Sequence, residues 1–167
     1  MPRVDKTTSR DDLADQILQQ AETVVDLLAN HVEGEFEVEM AKGLRAALGN
    51  SAGPLSLRES HVLSEVAKQE STNASSMAEK LRLTRGGLSK ILSRLEKKGF
   101  LCIQLKEGSK KEHAFSLTDQ GKTAVRIHDQ LHREMEEKWK ELLRTYDAGE
   151  LRLIERVLRD VARVQQE

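Results

Sequence analysis

The chain of 167 residues has little of several residue types, and each shortage excludes a class of protein. It has one cysteine, Cys102, so no disulfide can form within the chain, which is typical of a reducing compartment. Aromatic residues make up only 3 % and there are two prolines. The N-terminal segment MPRVDKTTSRDD has no apolar core of the kind that a signal peptide or a membrane span needs. We therefore expect a cytoplasmic protein that makes no use of a membrane.

Charged residues make up 33 % of the chain. Long segments are rich in Leu, Ala, Glu, Lys, Arg and Gln. This composition predicts a mainly α protein with solvated outer helix faces. The net charge is only −1, but residues 72–113 hold 10 Lys/Arg against 4 Asp/Glu, while residues 1–71 hold 7 against 13. Such a local basic segment is expected of a module that neutralises nucleic-acid phosphates.

Capping signals and apolar periodicity predict the first helices. A capping box of Ser9 and Asp12 starts an amphipathic helix that ends near His31. A second helical pattern covers residues 36–48 before glycines and a proline break it. Another capping box, SLRE at residues 56–59, starts a third helix that stops before KQEST.

The basic segment has the spacing of a helix-turn-helix followed by a hairpin. A short helix in ASSMAEKLRL is followed by a tight turn and a second helix capped by Thr84. Gly99 ends that helix, and two strand-like runs around KEGSKK predict a hairpin, which in this position is a wing.

Two further helices complete the predicted fold. Thr118 caps a long helix through about Leu143, and Asp147 with Glu150 starts the last one. The apolar stripes of the outer helices exceed what a small winged domain can cover, so we expect a homodimer. The predicted fold class is mainly α with a small β-hairpin wing. A winged helix-turn-helix DNA-binding domain covers residues 56–117, and residues 9–55 and 118–167 form a helical dimerisation region.

The stretch TNASSMAEKLRLTRGGLSKILSRLEKKGFL, followed by a basic hairpin and FSLTDQGKTAV, resembles the MarR family of winged helix-turn-helix transcription regulators. The resemblance covers roughly residues 56–126. It implies a dimeric repressor rather than an enzyme, with recognition helices in successive major grooves of an operator and wings in the minor grooves. Carried over by position, the DNA-contacting residues are Thr84, Arg85, Gly86, Ser89, Lys90, Arg94, Lys110 and Lys111.

The chemistry of these residues agrees with the resemblance. A capped helix N-terminus attracts phosphate, glycines permit close approach, and Arg, Ser and Lys donate to bases and phosphate oxygens. The wing departs from the family pattern, because Ser109, Lys110 and Lys111 stand where an Asp-x-Arg signature is usual. Lys111 keeps the charge at the Arg position, but the bracing of the wing by the aspartate is lost.

Two histidines lie four residues apart in VRIHDQLHRE at residues 125–134, a spacing that places both on one helix face. A helix can offer two imidazoles to one metal ion in this way, although short motifs also arise by chance. Some members of the MarR family are zinc-sensing repressors of zinc uptake. The sequence resembles these members, which implies that zinc acts as a corepressor. The implied ligands are Asp26, His61, His128 and His132, a set that suits tetrahedral zinc.

Each proposed ligand has another interpretation. Asp26 can belong to a solvated helix face. In that case Glu22, His31 or an acid among residues 33–39 would be the fourth metal ligand. His61 can be a histidine at the edge of the core, and the helical pair can line the rim of a dimer groove. Val32, Ser60 and Ile127 occupy the places of a second metal site in those sensors, so no second site is expected. We interpret Cys102 and His113 as structural residues.

Two other functions remain open from the sequence. A regulator of the same fold can respond to a small organic anion in the cleft between the lobes, and sensitivity to a chelator separates that case from a metal sensor. A hydrolytic zinc site is the alternative from another class of protein. The sequence has no H-E-x-x-H motif or similar arrangement that would supply a general base. A hydrolase would also leave the basic segment unexplained.

Overall fold

The computed structural model describes residues 9–27, 33–51, 53–68, 74–105 and 113–164. Its elements, in chain order, are α1 (Arg10–Leu27), α2 (Glu33–Leu48), a 3₁₀ turn (Gly49–Ser51), α3 (Leu57–Ala67), α4 (Ala74–Lys80), α5 (Arg85–Lys97), β1 (Leu101–Leu105), β2 (His113–Leu117), α6 (Asp119–Leu143) and α7 (Ala148–Val164). No helix within the described ranges is long and apolar enough to cross a membrane. The predicted fold class, mainly α with a two-stranded hairpin, is confirmed.

The chain divides into two compact units, Met1–Ile127 and His128–Glu167, so the division falls inside α6. The core of the first unit is formed by one face of each of the helices α2, α3, α4 and α5, together with Leu55, the start of the hairpin and the start of α6. Its buried apolar residues are Phe36, Met40, Leu44, Leu55, Val62, Leu63, Val66, Met77, Ala78, Leu88, Ile91, Leu92, Leu95, Phe100, Leu101, Ala124 and Val125. Burying a side chain of the Leu, Val or Phe type stabilises the fold by roughly 1.5–3 kcal/mol.

The hairpin and the start of α6 are joined by a close backbone approach. β1 and β2 are antiparallel, with Leu101 opposite Leu117. The Thr118 N–H donates to the carbonyl of Phe100 at 3.1 Å. A Cβ on Gly121 would lie 1.9 Å from that same carbonyl oxygen, so only glycine fits at this position of α6. The wing is therefore fixed at its base to the helix that follows it.

The predicted capping boxes are present. Ser9 and Asp12 exchange backbone-to-side-chain hydrogen bonds of 3.0 and 3.1 Å at the start of α1. Ser56 and Glu59 do the same at α3, and Asp147 caps α7. α2 begins at Glu33, three residues before the apolar pattern from which it was predicted, since acidic residues favour a first helical turn without contributing to apolar periodicity.

Several helices expose apolar side chains in the single chain. In the first unit, α1 exposes Leu13, Ile17, Leu18 and Val24. In the second unit, α7 has no buried residue although its apolar residues share one face, and it exposes Leu153, Val157, Leu158, Val161 and Val164. The end of α6 and the turn after it expose Trp139, Leu142, Leu143 and Tyr146. Exposed apolar faces of this extent mark an interaction surface.

Candidate functional site

The helix α5 has one buried face and one exposed polar face. Its buried residues are Leu88, Ile91, Leu92 and Leu95. The N-cap Thr84 has an extended backbone, and its hydroxyl accepts from the Gly87 N–H at 3.0 Å. On the opposite side, Arg85, Gly86, Ser89 and Lys90 are all exposed. These four of the residues that were predicted to contact DNA therefore share one accessible face.

A buried carboxylate on α3 holds α5 in place. Glu59 is only 4 % exposed and accepts hydrogen bonds from Arg94 Nε at 3.2 Å and Lys98 Nζ at 2.8 Å. Burial alone would raise the pKa of the Glu59 carboxyl, but hydrogen bonds from Lys98, the Ser56 backbone and Arg94 hold this pKa below its usual range. Glu59 is therefore an ionised link between α3 and α5.

Ion pairs separate the basic residues of the helix-turn-helix into two groups. Lys80 on α4 pairs with buried Glu65 on α3 at 2.6 Å, and Arg94 pairs with Glu59. Arg85 and Lys90, in contrast, are exposed and have no ion-pair partner within the described part of the chain. The first group supports the fold, and the second is available to a ligand. Arg94 thus has a structural contact that the sequence pattern did not indicate.

The wing is connected to α5 by a hydrogen bond from a backbone N–H to a side-chain carboxylate. The Ile103 N–H on β1 donates to Glu96 Oε1 at 3.2 Å. The wing residues Lys110 and Lys111, predicted to contact DNA, lie outside the described residues. The hydrogen bond to Glu96 fixes β1, the first strand of the wing, relative to α5.

A groove of about 410 Å³ lies between α5, the start of α4 and the hairpin. Apolar Leu88, Leu92 and Phe115 line it together with Arg85 and Ser89. Because Arg85 and Ser89 also belong to the exposed face of α5, a molecule in this groove would compete with any ligand of that face.

The two predicted metal ligands on α6 lie side by side. The ring centroids of His128 and His132 are 4.4 Å apart. His128 is buried and its Nδ1 lies 2.9 Å from Asp129 Oδ1. With its proton on Nδ1, the ring donates to Asp129 and presents the Nε2 lone pair as a ligand atom. In many metal-binding histidines, the ring nitrogen that does not bind the metal makes a hydrogen bond of this type, which orients the ring.

The other residues considered as ligands lie on different helices. His61 is half-buried on α3, in the first unit. Asp26 belongs to α1, but its side chain lies outside the described residues, as does His31. Glu22 is exposed on α1, and Glu37 accepts from the Leu57 N–H at 3.2 Å, which helps to cap α3.

The residues interpreted as structural are separated in the hairpin. Cys102 is opposite Ser116, whereas His113 is opposite Leu105. Ser60 and Ile127 stand at two of the places that a second metal site would use. Ser60 is buried, and the side chain of Ile127 lies close to Gly43. Neither side chain is a ligand type for zinc.

A capped recognition helix with an exposed basic face and a wing tied to it define a winged helix-turn-helix protein. The family model described as MarR family matches residues 55–113 of the chain. The match covers the predicted winged helix-turn-helix domain, so this part of the chain is similar to the MarR family. Its relatives are transcription regulators and not enzymes, in agreement with the expectation from the sequence.

Two curated relatives come from Bacillus subtilis (strain 168), and both are uncharacterized HTH-type transcriptional regulators. YhjH is 34 % identical over 111 residues, which are 66 % of this chain and 63 % of YhjH. YvnA is 29 % identical over 98 residues, which are 59 % of this chain and 62 % of YvnA. The chain thus spans about three fifths of the length of these relatives.

Among solved structures, Lactococcus lactis ZitR in complex with DNA has a TM-score of 0.69 and 21 % identity, covering 90 % of this chain and 96 % of that one. Another ZitR structure, described as that of a zinc-responsive MarR family member, has a TM-score of 0.69 and 18 % identity, covering 90 % and 97 %. At these identities the likeness shows the fold.

Proposed function

We propose that the chain is a sequence-specific DNA-binding transcription regulator, a repressor that binds operator DNA as a homodimer and is controlled by zinc. The observation that carries this proposal is the exposed face of α5. Arg85, Ser89 and Lys90 lie on it, beyond a capped helix N-terminus, while Glu59 holds the helix from behind.

Recognition of DNA follows from the chemistry of that face. Arg and Lys donate to guanine O6 and N7 in the major groove, and Ser donates to bases or phosphates. Gly86 leaves open space beside the helix, where an added Cβ would meet no atom within 4 Å. The α5 N-terminus can approach a phosphate closely for the same reason.

The homodimer is supported by the exposed apolar faces of α1 and α7. In α7, Leu153, Val157 and Val161 repeat at four-residue spacing and are each about half exposed in the single chain. A second copy of the chain is the occupant we propose, because two recognition helices must engage two half-sites of an operator together. The half-sites would lie about one helical turn, roughly 34 Å, apart.

A zinc site is supported first by the adjacent imidazoles of His128 and His132. We propose His61 on α3 as the third imidazole ligand. Three imidazoles with one carboxylate or water match the ligands that zinc prefers. Asp26 remains our proposal for the carboxylate. Bound zinc would supply a structural link among its ligands.

Control of DNA binding follows from the elements that carry these ligands. His61 belongs to α3, which holds α5 through Glu59, whereas His128 and His132 belong to α6, which we assign to the dimerisation region. An ion bound by all three would restrict the recognition helix relative to the dimer. That zinc tightens rather than loosens operator binding is our proposal from the resemblance to zinc-sensing repressors, in which zinc is the corepressor.

The DNA-binding part is tested with duplexes selected from a randomised pool by the purified protein. We expect enrichment of a two-fold symmetric sequence and affinity that falls steeply with salt, since phosphate contacts release counterions. Absence of enrichment, or affinity that does not respond to salt, would contradict the proposal. If an organic anion rather than zinc were the effector, a chelator would leave the affinity unchanged.

A further inference from the structure

The turn between α4 and α5 contains an arginine in an unusual backbone conformation. Arg82 has φ of 52°, and among the described residues it is the one non-glycine residue with positive φ. Backbone hydrogen bonds hold the turn on both sides. The Arg82 N–H donates to the Glu79 carbonyl at 3.0 Å, and the Leu83 N–H donates to the Ala78 carbonyl at 2.8 Å.

This conformation favours glycine, and asparagine tolerates it better than other residues do. Nothing within the turn requires an arginine side chain. Arg82 is exposed, and the described part of the chain offers it no ion-pair partner. The flanking Leu81 and Leu83 are half-buried and supply the packing of the turn. The two hydrogen bonds are those of a Schellman motif, in which Arg82 is the left-handed residue that ends α4 and glycine is the usual choice. The arginine side chain at this exposed position is therefore available for a contact outside the chain.

The position of Arg82 indicates what that function is. It lies two residues before the Thr84 cap and three before Arg85, so its backbone adjoins the N-terminus of the recognition helix. Nearby Lys80 is held by Glu65, which leaves Arg82 as the accessible cation of the turn. We propose that Arg82 is a further DNA-contacting residue whose guanidinium binds a backbone phosphate beside the recognition helix. This proposal rests on the DNA-binding function proposed above.

A phosphate is the expected partner rather than a base. Arg82 lies outside α5, and residues that flank a recognition helix mostly contact the sugar-phosphate backbone and fix the register of the helix in the groove. A planar guanidinium can donate two parallel hydrogen bonds to one phosphate, whereas a lysine ammonium acts as a point charge. Replacement of Arg82 should therefore weaken binding to all sequences to a similar extent.

The experiment compares Arg82→Gly, Arg82→Asn and Arg82→Lys with the parent protein on a selected duplex over a range of salt concentrations. Arg82→Gly and Arg82→Asn suit the left-handed turn, so we expect each to melt at or above the melting temperature of the parent. Both should bind the duplex roughly tenfold more weakly, as expected for loss of a charge-assisted contact. The slope of log affinity against log salt should fall by about 1 for each bound copy.

Two controls isolate the contact. Arg82→Lys should keep most of the salt slope, since the charge remains. Arg45→Ala, which removes an exposed cation from the last turn of α2, should leave the affinity and the slope unchanged. Parent-like affinity and salt slope in Arg82→Gly would overturn the contact while leaving the proposed function intact. A parent protein that binds no duplex would contradict the proposed function and the contact with it.

Discussion

The buried carboxylate of Glu59 on α3 accepts a hydrogen bond from Arg94 Nε on α5 at 3.2 Å, across 35 residues of sequence. Lys98 Nζ donates to the other oxygen of the same carboxylate at 2.8 Å and also to the carbonyl of Pro54. The orientation of the recognition helix thus depends on one ionised side chain in the neighbouring helix.

The first prediction concerns this link. Glu59→Gln keeps the shape of the side chain but removes the charge that Arg94 and Lys98 share, so the free energy of unfolding in urea should fall by about 1–2 kcal/mol. Solvent screening of the exposed Arg94 side chain limits the loss. Glu39→Gln, which alters an exposed ion pair with Lys42 on α2, is the control and should change stability by under about 0.5 kcal/mol. Equal effects of the two substitutions would contradict this account.

A second prediction tests the junction between the wing and α6. Gly121→Ala forces a Cβ against the Phe100 carbonyl, which is backbone and cannot move aside, and should cost about 3 kcal/mol. Gly43→Ala is the matched comparison, because its Cβ would meet the Ile127 side chain at 2.8 Å. That side chain can rotate, so the cost should be smaller. Thermal denaturation of both variants measures the difference, and a Gly121→Ala protein as stable as the parent would refute the close approach.

The third prediction separates specificity from affinity. Arg85→Ala should relax sequence preference, because Arg85 lies on the exposed face of α5 and its proposed contacts are base edges. Lys111→Ala, in the wing, should weaken binding to all duplexes similarly and reduce the salt slope by about 1. Competition among single-base variants of the selected duplex measures both effects. An unchanged preference in Arg85→Ala would exclude a base contact by this residue.

The fourth prediction concerns metal binding by the folded protein. Zinc should raise the melting temperature, by an amount equivalent to about 2.7 kcal/mol at a free concentration 100 times the dissociation constant. A chelator should abolish the effect, and it should weaken as pH falls, since protonated imidazoles cannot bind metal. His128→Ala or His132→Ala should remove the stabilisation, whereas His113→Ala on the hairpin should retain it. Parent-like zinc stabilisation in the His128, His132 double variant would place the site elsewhere.

The sequence predicted most elements of this fold because their signals are local. Thr84 as a cap, Gly99 as a stop and the apolar period of α5 specify the recognition helix from adjacent residues. The pairing of His128 with His132 was predicted for the same reason, as four residues are one helical turn. The mainly helical fold and the resemblance to the MarR family were confirmed on this basis.

The contacts that could not be predicted are those between distant residues. Arg94 was interpreted from the sequence as a DNA contact, because nothing in the spacing of residues 59 and 94 indicates that they meet. The left-handed backbone of Arg82 was also missed, since the segment KLRLT contains neither glycine nor asparagine to mark the turn. Both depend on the packing of α3, α4 and α5 against one another.

Titration of the selected duplex with the protein, once with saturating zinc and once with a chelator, tests the proposed function most directly. Coupling between a metal site and a DNA-binding surface typically changes affinity by roughly 5- to 150-fold. We predict tighter binding with zinc, within that range, in the parent protein, and no response in His128→Ala. Equal affinities of the parent with zinc and with chelator would contradict control by the metal, and weaker binding with zinc would contradict its role as a corepressor.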